Sequence, residues 1–286
     1  MDEIWINGGF EAPPGAIAAN DRGFTLADGV FDTSLVLGGT VFGRTAHLDR
    51  LMAAAASLAI PAERAAIEGA MTALATRRGD GAIRLTLTRG PGPRGLTLPA
   101  SPQPTLLGTS APLAPAMMFA PLRLQVAAIR RNETSPTARV KSLAYLDSVL
   151  ANHAAKQAGA DEALFLNGAG RVACSALANV FVLSGEEIAT PPLDEGVLDG
   201  IVRGWVLGHA AEFGLAASER PLTVEDLATG QVFLTNSLRL IAPASLGDRL
   251  PDAADPHLVR LMTGLCDAIG DECQVDPRTR GAKLPG

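Results

Sequence analysis

The stretch Thr137-Ala138-Arg139-Val140-Lys141-Ser142-Leu143-Ala144-Tyr145 sets one lysine at what reads as a strand end followed by a helix. Residues 143–157 have amphipathic helical spacing, and Gly159 closes them. A lysine fixed at such a junction loses water, and desolvation lowers its pKa toward the free amine that carbonyl chemistry needs. The alternative is an ordinary surface lysine, which is how Lys156 on its helix and Lys283 in the tail read. These three are the only lysines among 24 basic residues, so a reaction that requires a lysine amine has few candidates.

Outward from Lys141, residues 122–128, 162–166, 178–183 and 231–235 read as strands, and a helix runs over 200–213. Asn167-Gly168 and Ser184-Gly185 supply turns. Upstream, Ile4-Trp5-Ile6-Asn7 followed by Gly8-Gly9 reads as a strand and turn, and Gly38-Gly39 marks a hairpin over 35–42. Residues 47–58 and 61–76 are predicted helices. Residues 82–88 form a predicted strand with Arg84, Thr86 and Thr88 on one face. Residues 97–116 carry Pro99, Pro102, Pro104, Pro112 and Pro115 and no charge, the composition of an extended linker or sheet edge. The expected organisation is a small α+β domain over 1–108, a linker over 109–116, and a large domain over 117–286 with a frayed tail from Pro277.

The chain has 286 residues, 47% of them hydrophobic and 19% charged, with a net charge of -6, which suits a compact globule. A pI near 5.3 and the absence of a Lys/Arg run argue against nucleic acid as a partner. No apolar run approaches the ~20 residues that cross a bilayer, and Met1-Asp2-Glu3 is acidic where a signal peptide is basic, so no membrane role and a cytoplasmic location are expected. Cys174, Cys266 and Cys273 are widely spaced, and His47, His153, His209 and His257 are scattered, so no metal site is expected. Gly90, Gly92 and Gly95 match the dinucleotide glycine pattern, but Pro91 and Pro93 interrupt it, no helix start follows, and no acid lies in 100–120. That segment reads as a loop, whose Arg89 and Arg94 can offer a guanidinium fork to a carboxylate.

Eight segments then occur in order: Asp21-Arg22-Gly23-Phe24, Asp28-Gly29-Val30-Phe31, His47-Leu48-Asp49-Arg50-Leu51, Lys141, Asn179-Val180-Phe181, Thr190-Pro191-Pro192, Gly196-Val197-Leu198-Asp199-Gly200-Ile201-Val202-Arg203 and Phe233-Leu234-Thr235-Asn236-Ser237. Together they resemble the fold-type IV pyridoxal-phosphate (PLP) family, which holds branched-chain aminotransferases, D-amino-acid aminotransferases and aminodeoxychorismate lyases. The resemblance spans about residues 4–245. It implies an α+β fold of the D-amino-acid aminotransferase type, two α/β subdomains with the cofactor between them, and a homodimer.

By that resemblance Lys141 is the Schiff-base lysine and carries a proton between the substrate Cα and the cofactor's C4′. Arg50 looks like the phosphate-binding arginine, against a plain role as a helix-surface ion-pair partner. The Gly200-Ile201-Val202 turn offers backbone N–H groups of Ile201 and Val202 to the same phosphate, and Ser237 matches the hydroxyl that closes the cup. Tyr145, the only tyrosine, falls where the PLP 3′-oxygen is bound, unless it is structural. Cys174 and Ser175 fall beside the cofactor ring. Cys174 departs from the pattern, since the family keeps a glutamate there to hold the pyridine nitrogen protonated, and a neutral thiol is a weak hydrogen-bonding group. A weaker electron sink, a substitute acid such as Asp161 or Glu162, or poor turnover would each follow from it.

For the substrate, Arg94 is similar to the loop arginine that holds the substrate carboxylate, Arg84 lies where branched-chain enzymes keep an arginine, and Arg94 is taken in preference. Phe31 is expected to form an apolar wall or to pack in the core. The implied activity is amino transfer between an amino acid, of branched-chain or D type, and a 2-oxo acid. The alternatives are aminodeoxychorismate lyase, which shares the steps through deprotonation and then releases pyruvate, and a weakly active PLP-binding protein.

Overall fold

The computed structural model describes residues 4–12, 16–247, 251 and 255–285; the acidic opening Met1-Asp2-Glu3 lies outside the described residues. The chain divides into two compact units, one of Met1–Ala114, Val140–Ala144 and Glu272–Val275, the other of Pro115–Arg139, Tyr145–Asp271 and Asp276–Gly286.

The first unit contains β1 (Ile4–Ile6), β2 (Gly9–Glu11), α1 (Arg22–Leu26), β3 (Gly29–Leu37), β4 (Thr40–Val41), α2 (Arg44–Ser57), α3 (Arg64–Arg78), β5 (Gly81–Thr88) and β6 (Thr105–Pro112). They form an antiparallel sheet in the order β2-β1-β6-β5-β3-β4. Gly38 and Gly39, at φ 57° and 77°, make the tight turn that joins β3 to β4. The alternation of β3 and β5 decides which side chains are core. Val30 and Val36, with Ile83, Leu85 and Leu87, pack against Leu48, Leu51, Ile67 and Leu74 of α2 and α3. Asp32, paired with Leu85, therefore points to the helix-covered face, while Phe31, Arg84 and Thr86 point to the other.

Two expectations change here. The expected linker over 109–116 is strand as far as Pro112, and β6 lies between β1 and β5. Pro104 precedes β6 and Pro112 is its last residue, so no proline has to donate inside the ladder. The Thr137–Val140 stretch is not a strand end either: Pro136 opens a one-turn 3₁₀ helix over Pro136–Ala138, a place its fixed φ suits. What fixes Lys141 is β3, through Phe31 N–H to the Lys141 carbonyl at 2.8 Å, Leu143 N–H to the Gly29 carbonyl at 2.9 Å, and a bridge between Val30 and Ser142.

The second unit contains β7 (Leu122–Val126), α4 (Leu146–Gln157), β8 (Glu162–Leu166), β9 (Val172–Ser175), β10 (Asn179–Ser184), β11 (Glu187–Thr190), α5 (Ile201–His209), β12 (Ala216–Glu219), α6 (Val224–Thr229), β13 (Gln231–Asn236), β14 (Leu240–Leu246) and most of α7 (Pro256–Cys273). Its sheet runs β12-β11-β10-β13-β14-β7-β8-β9, and β9 also pairs with β10 at Cys174 and Asn179, so six strands close on themselves. Leu124, Leu164, Val180, Val182, Leu234 and Ala244 belong to the cluster inside this ring. The expected frayed tail is ordered: Asp276 caps a 3₁₀ turn over Pro277–Arg280, Arg278 pairs with Asp276 and Asp267, and Ala282 is buried.

Candidate active site

In the first unit the sheet and α2 collect a charged cluster. The Lys141 amine lies 4.5 Å above the Phe31 ring, and the Arg84 guanidinium lies 3.6 Å from the same ring centroid. Both are cation–π contacts, so Phe31 is a ring platform shared by two cations. Burial, followed by the charge of Arg50, pulls the Lys141 pKa from 10.5 down to about 8; Asp32 opposes the fall and Arg84 adds to it. A lysine with that value holds roughly a tenth of its amine free at pH 7, a few hundred times the fraction of an ordinary lysine.

Arg50 is half-buried, and its Nε and Nη2 both meet Asp32 Oδ2, at 2.8 and 2.7 Å. One edge of the guanidinium fork expected to face a phosphate is thus held by a carboxylate. His47 Nδ1 lies 2.5 Å from Asp32 Oδ1; a carboxylate only accepts, so the imidazole donates. Burial alone would raise the Asp32 pKa, but His47 and Arg50 hold it below the usual carboxylate value.

Arg94 is not brought into this cluster. It is exposed on the loop after β5 and makes no hydrogen bond or ion pair among the described residues. That loop is tethered, because Arg22 Nη1 donates to the Gly95 and Thr97 carbonyls at 3.1 and 3.3 Å. Arg89 is buried and wholly engaged, its fork on Asp28 at 2.8 and 2.9 Å and its remaining donors on the Leu58 and Ala59 carbonyls.

In the second unit the outer face of the ring carries neutral groups. Cys174, Asn179 and Thr235 are register neighbours on β9, β10 and β13, so they form a row on one face. Asn179 Nδ2 donates to the Leu198 carbonyl at 2.8 Å, which ties down the turn into α5. A Cβ on Gly200 would lie 2.0 Å from Asn179 Oδ1, so this N-cap admits only glycine without a shift. Gly200 provides no side-chain cap, and the first-turn N–H groups of α5, Ile201 and Val202 among them, have no intrahelical acceptor. Beside them the Thr235 hydroxyl is buried with no hydrogen-bond partner among the described residues. Ser237 is half-buried in the turn after β13, and Tyr145 is the half-buried N-cap of α4.

Ser175 and Glu162 fall on the opposite face. Ser175 pairs with Leu164 of the inner cluster, whereas Cys174 pairs with Phe165, in the cluster with Ala151 and Ala163. The Ser175 hydroxyl donates to Glu162 Oε1 at 2.5 Å, and Leu177 N–H donates to the same oxygen at 3.0 Å. Burial raises the Glu162 pKa. Asp161 is exposed and accepts from Arg123 N–H at 2.8 Å. Glu162 does not stand on the Cys174 face, Asp161 is turned to solvent ahead of β8, and burial pushes the Cys174 thiol up, so it stays neutral.

Each unit by itself offers groups suited to part of a phosphorylated pyridine aldehyde: the first a desolvated amine of the kind an aldehyde takes, the second an uncapped helix N-terminus with an orphaned buried hydroxyl of the kind a phosphate takes. Asp32, His47, Asn179 and Thr235 escaped the sequence reading as site residues; the alternation of β3, which puts an aspartate between Val30 and Ser34 on the helix-covered face, was the available signal for Asp32.

A buried lysine with a lowered pKa beside two arginines is the feature the first unit offers, and comparison with known proteins shows the family. The chain belongs to the class IV amino-transferases, which match residues 29–246 and use pyridoxal phosphate. A Methanocaldococcus jannaschii protein named for branched-chain-amino-acid aminotransferase activity is 34% identical over 250 residues, covering 84% of this chain and 86% of that protein. The aminodeoxychorismate lyase of Bacillus subtilis is 29% identical over 251 residues, covering 84% and 85%. The crystal structure of 4-amino-4-deoxychorismate lyase from Pseudomonas aeruginosa superposes with a TM-score of 0.81 at 29% identity, covering 95% of this chain and 100% of that one. The protein is therefore an enzyme, and among the described residues no helix is long and apolar enough to cross a membrane.

Proposed function

We propose that the protein is a PLP-dependent aminotransferase that moves an amino group from an amino acid, of branched-chain or D type, to a 2-oxo acid. The observation that carries the reading is the Lys141 amine, desolvated over Phe31 with its pKa lowered to about 8. When bound, the cofactor supplies an electron sink for the charge left on the substrate Cα. Lys141 would hold the cofactor through its amine and, once the substrate's amino group has displaced that amine, would take the Cα proton and deliver it to the carbon that receives the amino group.

Arg84, rather than Arg94, binds the substrate carboxylate, because it shares the Phe31 platform with the reacting amine. Phe31 holds the guanidinium in place and keeps water from one side of the amine. Of the second unit, the N–H groups of Ile201 and Val202, Ser237 and the Thr235 hydroxyl would hold the phosphate and Tyr145 the 3′-oxygen, and of the first unit Arg50 would supply a phosphate-binding guanidinium. Cys174, a neutral thiol, would leave the ring nitrogen uncharged, which favours slow turnover. The Ser175 hydroxyl, turned to Glu162, supports the β9 turn rather than the cofactor.

The exposed Leu146, Val149 and Leu150 put an apolar stripe on α4, a surface suited to the second copy of a homodimer. Light scattering on the purified protein tests it, with a mass of two chains expected and a single-chain mass against it.

A panel of D- and L-amino acids with 2-oxoglutarate or pyruvate as acceptor tests the activity. Amino transfer is expected. Pyruvate and 4-aminobenzoate formed from aminodeoxychorismate, with no transfer to any acceptor, would assign the lyase instead.

A further inference from the structure

Asp32 is buried to 2% exposure on the helix-covered face of β3, opposite Leu85 and within the apolar layer of α2 and α3. A carboxylate in such a place survives only if its oxygens are satisfied. They are divided between two residues of one helix face: Oδ1 takes the His47 Nδ1–H at 2.5 Å, and Oδ2 takes Arg50 Nε and Nη2 at 2.8 and 2.7 Å. His47 and Arg50 stand three apart on α2, so both project toward β3 from the same side. His47 is itself only 1% exposed, and the proposed chemistry gives it nothing to do.

Asp32 is also the residue next to Phe31, whose N–H binds the Lys141 carbonyl at 2.8 Å and whose ring centroid lies 4.5 Å from the Lys141 amine, so the clamp and the amine are tied to adjacent positions of β3. The charges acting on that amine are Asp32 from β3, Arg50 from α2 and Arg84 from β5. A base that must accept a proton from carbon at near-neutral pH loses basicity to neighbouring cations and regains it from a neighbouring carboxylate.

We propose that Asp32 is a positioning residue for the Lys141 amine. By clamping His47 and Arg50 it fixes the guanidinium that flanks the site, and its negative charge offsets the two arginines, so the amine keeps enough basicity to take the proton. Asp32 itself touches neither substrate nor cofactor. The proposal rests on the reading of Lys141 as the reacting lysine and adds to it the group that sets its proton affinity.

The small lysine count makes a direct test possible. Full-length protein free of cofactor and labelled with [6-13C]lysine gives signals from Lys141, Lys156 and Lys283 alone, and the variants Lys156→Arg and Lys283→Arg assign them. In the unaltered chain the Lys141 signal is expected to titrate at about 8. Asp32→Asn is expected to lower that midpoint by about one pH unit, a tenfold change in proton affinity. Asp32→Glu, which retains the charge, is expected to restore most of the shift. A merely structural aspartate would change the melting temperature and leave the midpoint unmoved, and a folded Asp32→Asn protein with an unchanged midpoint overturns the proposal. If Asp32→Asn does not fold, Arg50→Gln is compared with Arg50→Gln/Asp32→Asn, a pair in which no guanidinium is left unmatched. The midpoint must drop when the carboxylate is lost, and equal midpoints overturn the proposal. Because no cofactor is present, this result is independent of whether Lys141 binds PLP; borohydride trapping decides that separately.

Discussion

In the first unit the side chains assigned to chemistry are ionisable and crowded together: Lys141 and Arg84 share the Phe31 ring, and Arg50 is held by a buried Asp32. In the second unit the corresponding row is Cys174, Asn179 and Thr235, all uncharged, beside the uncapped start of α5. The contrast separates two tasks. Moving a proton requires a titratable group whose pKa has been shifted by burial and neighbours, and such shifts need charges nearby. Holding an anion requires only oriented N–H dipoles and a hydroxyl, which a helix terminus provides without adding a titration of its own. The division predicts that damage around Lys141 changes turnover, substrate binding and pH dependence, whereas damage at the start of α5 changes cofactor affinity.

The largest effect should come from Lys141→Ala, which removes the proton carrier. Single-turnover transfer is expected to fall on the order of 10³-fold, with cofactor binding retained in weaker, non-covalent form. Equal rates in the two proteins would place the chemistry elsewhere. Arg84→Gln should raise the substrate KM by about 10- to 100-fold, the range for losing a charged hydrogen-bond partner, and Arg94→Gln should change it by less than about threefold. The reverse order in steady-state kinetics would return the clamp to the loop.

The lowered Lys141 pKa also has a sign in folding. The native chain gives up this proton near pH 8 and the unfolded chain near 10.5, so above about pH 8 the unfolded state binds more protons and native stability gains from rising pH. Between pH 8 and 9, denaturant titrations of the cofactor-free protein should show a gain of at most about 1.4 kcal/mol relative to Lys141→Met, which lacks the group. A variant with the same pH slope would mean that Lys141 titrates normally.

In the second unit, Thr235→Val should weaken cofactor binding by about fivefold, close to 1 kcal/mol. The same change should leave the cofactor-free protein equally or slightly more stable, since it deletes a buried hydroxyl that has no partner there. Loss of stability without loss of affinity would reassign Thr235 to the core. The smallest effect belongs to Cys174→Ala, where a neutral thiol gives way to a smaller neutral group; turnover is expected to stay within about twofold, and a loss of tenfold or more would show that the thiol takes part.

Much of this was legible in the sequence because it is local. The Gly38-Gly39 turn, the α2 and α3 periodicity and the β8 limits depend on residues a few positions apart, and the ordered motifs single out Lys141 and the α5 turn as the places to look. What escaped is set by register and distance. Asp32 lies 15 residues from His47 and 18 from Arg50, so its clamp exists only once α2 has folded back over β3. The opposite orientations of Cys174 and Glu162 follow from the pairing of β8 with β9, which shifts at Phe165/Leu166 in a way that no single-strand pattern reveals. The prolines near residue 109 were misleading for a simpler reason: composition records their number, but a strand tolerates them according to position.

The most direct measurement is borohydride reduction of the protein supplied with pyridoxal 5′-phosphate, followed by peptide mapping by mass spectrometry. A phosphopyridoxyl group on Lys141, and none on Lys156 or Lys283, is the expected result. A colourless protein with Lys141 unmodified, or a label confined to another lysine, would contradict the assignment on which the proposed reaction stands.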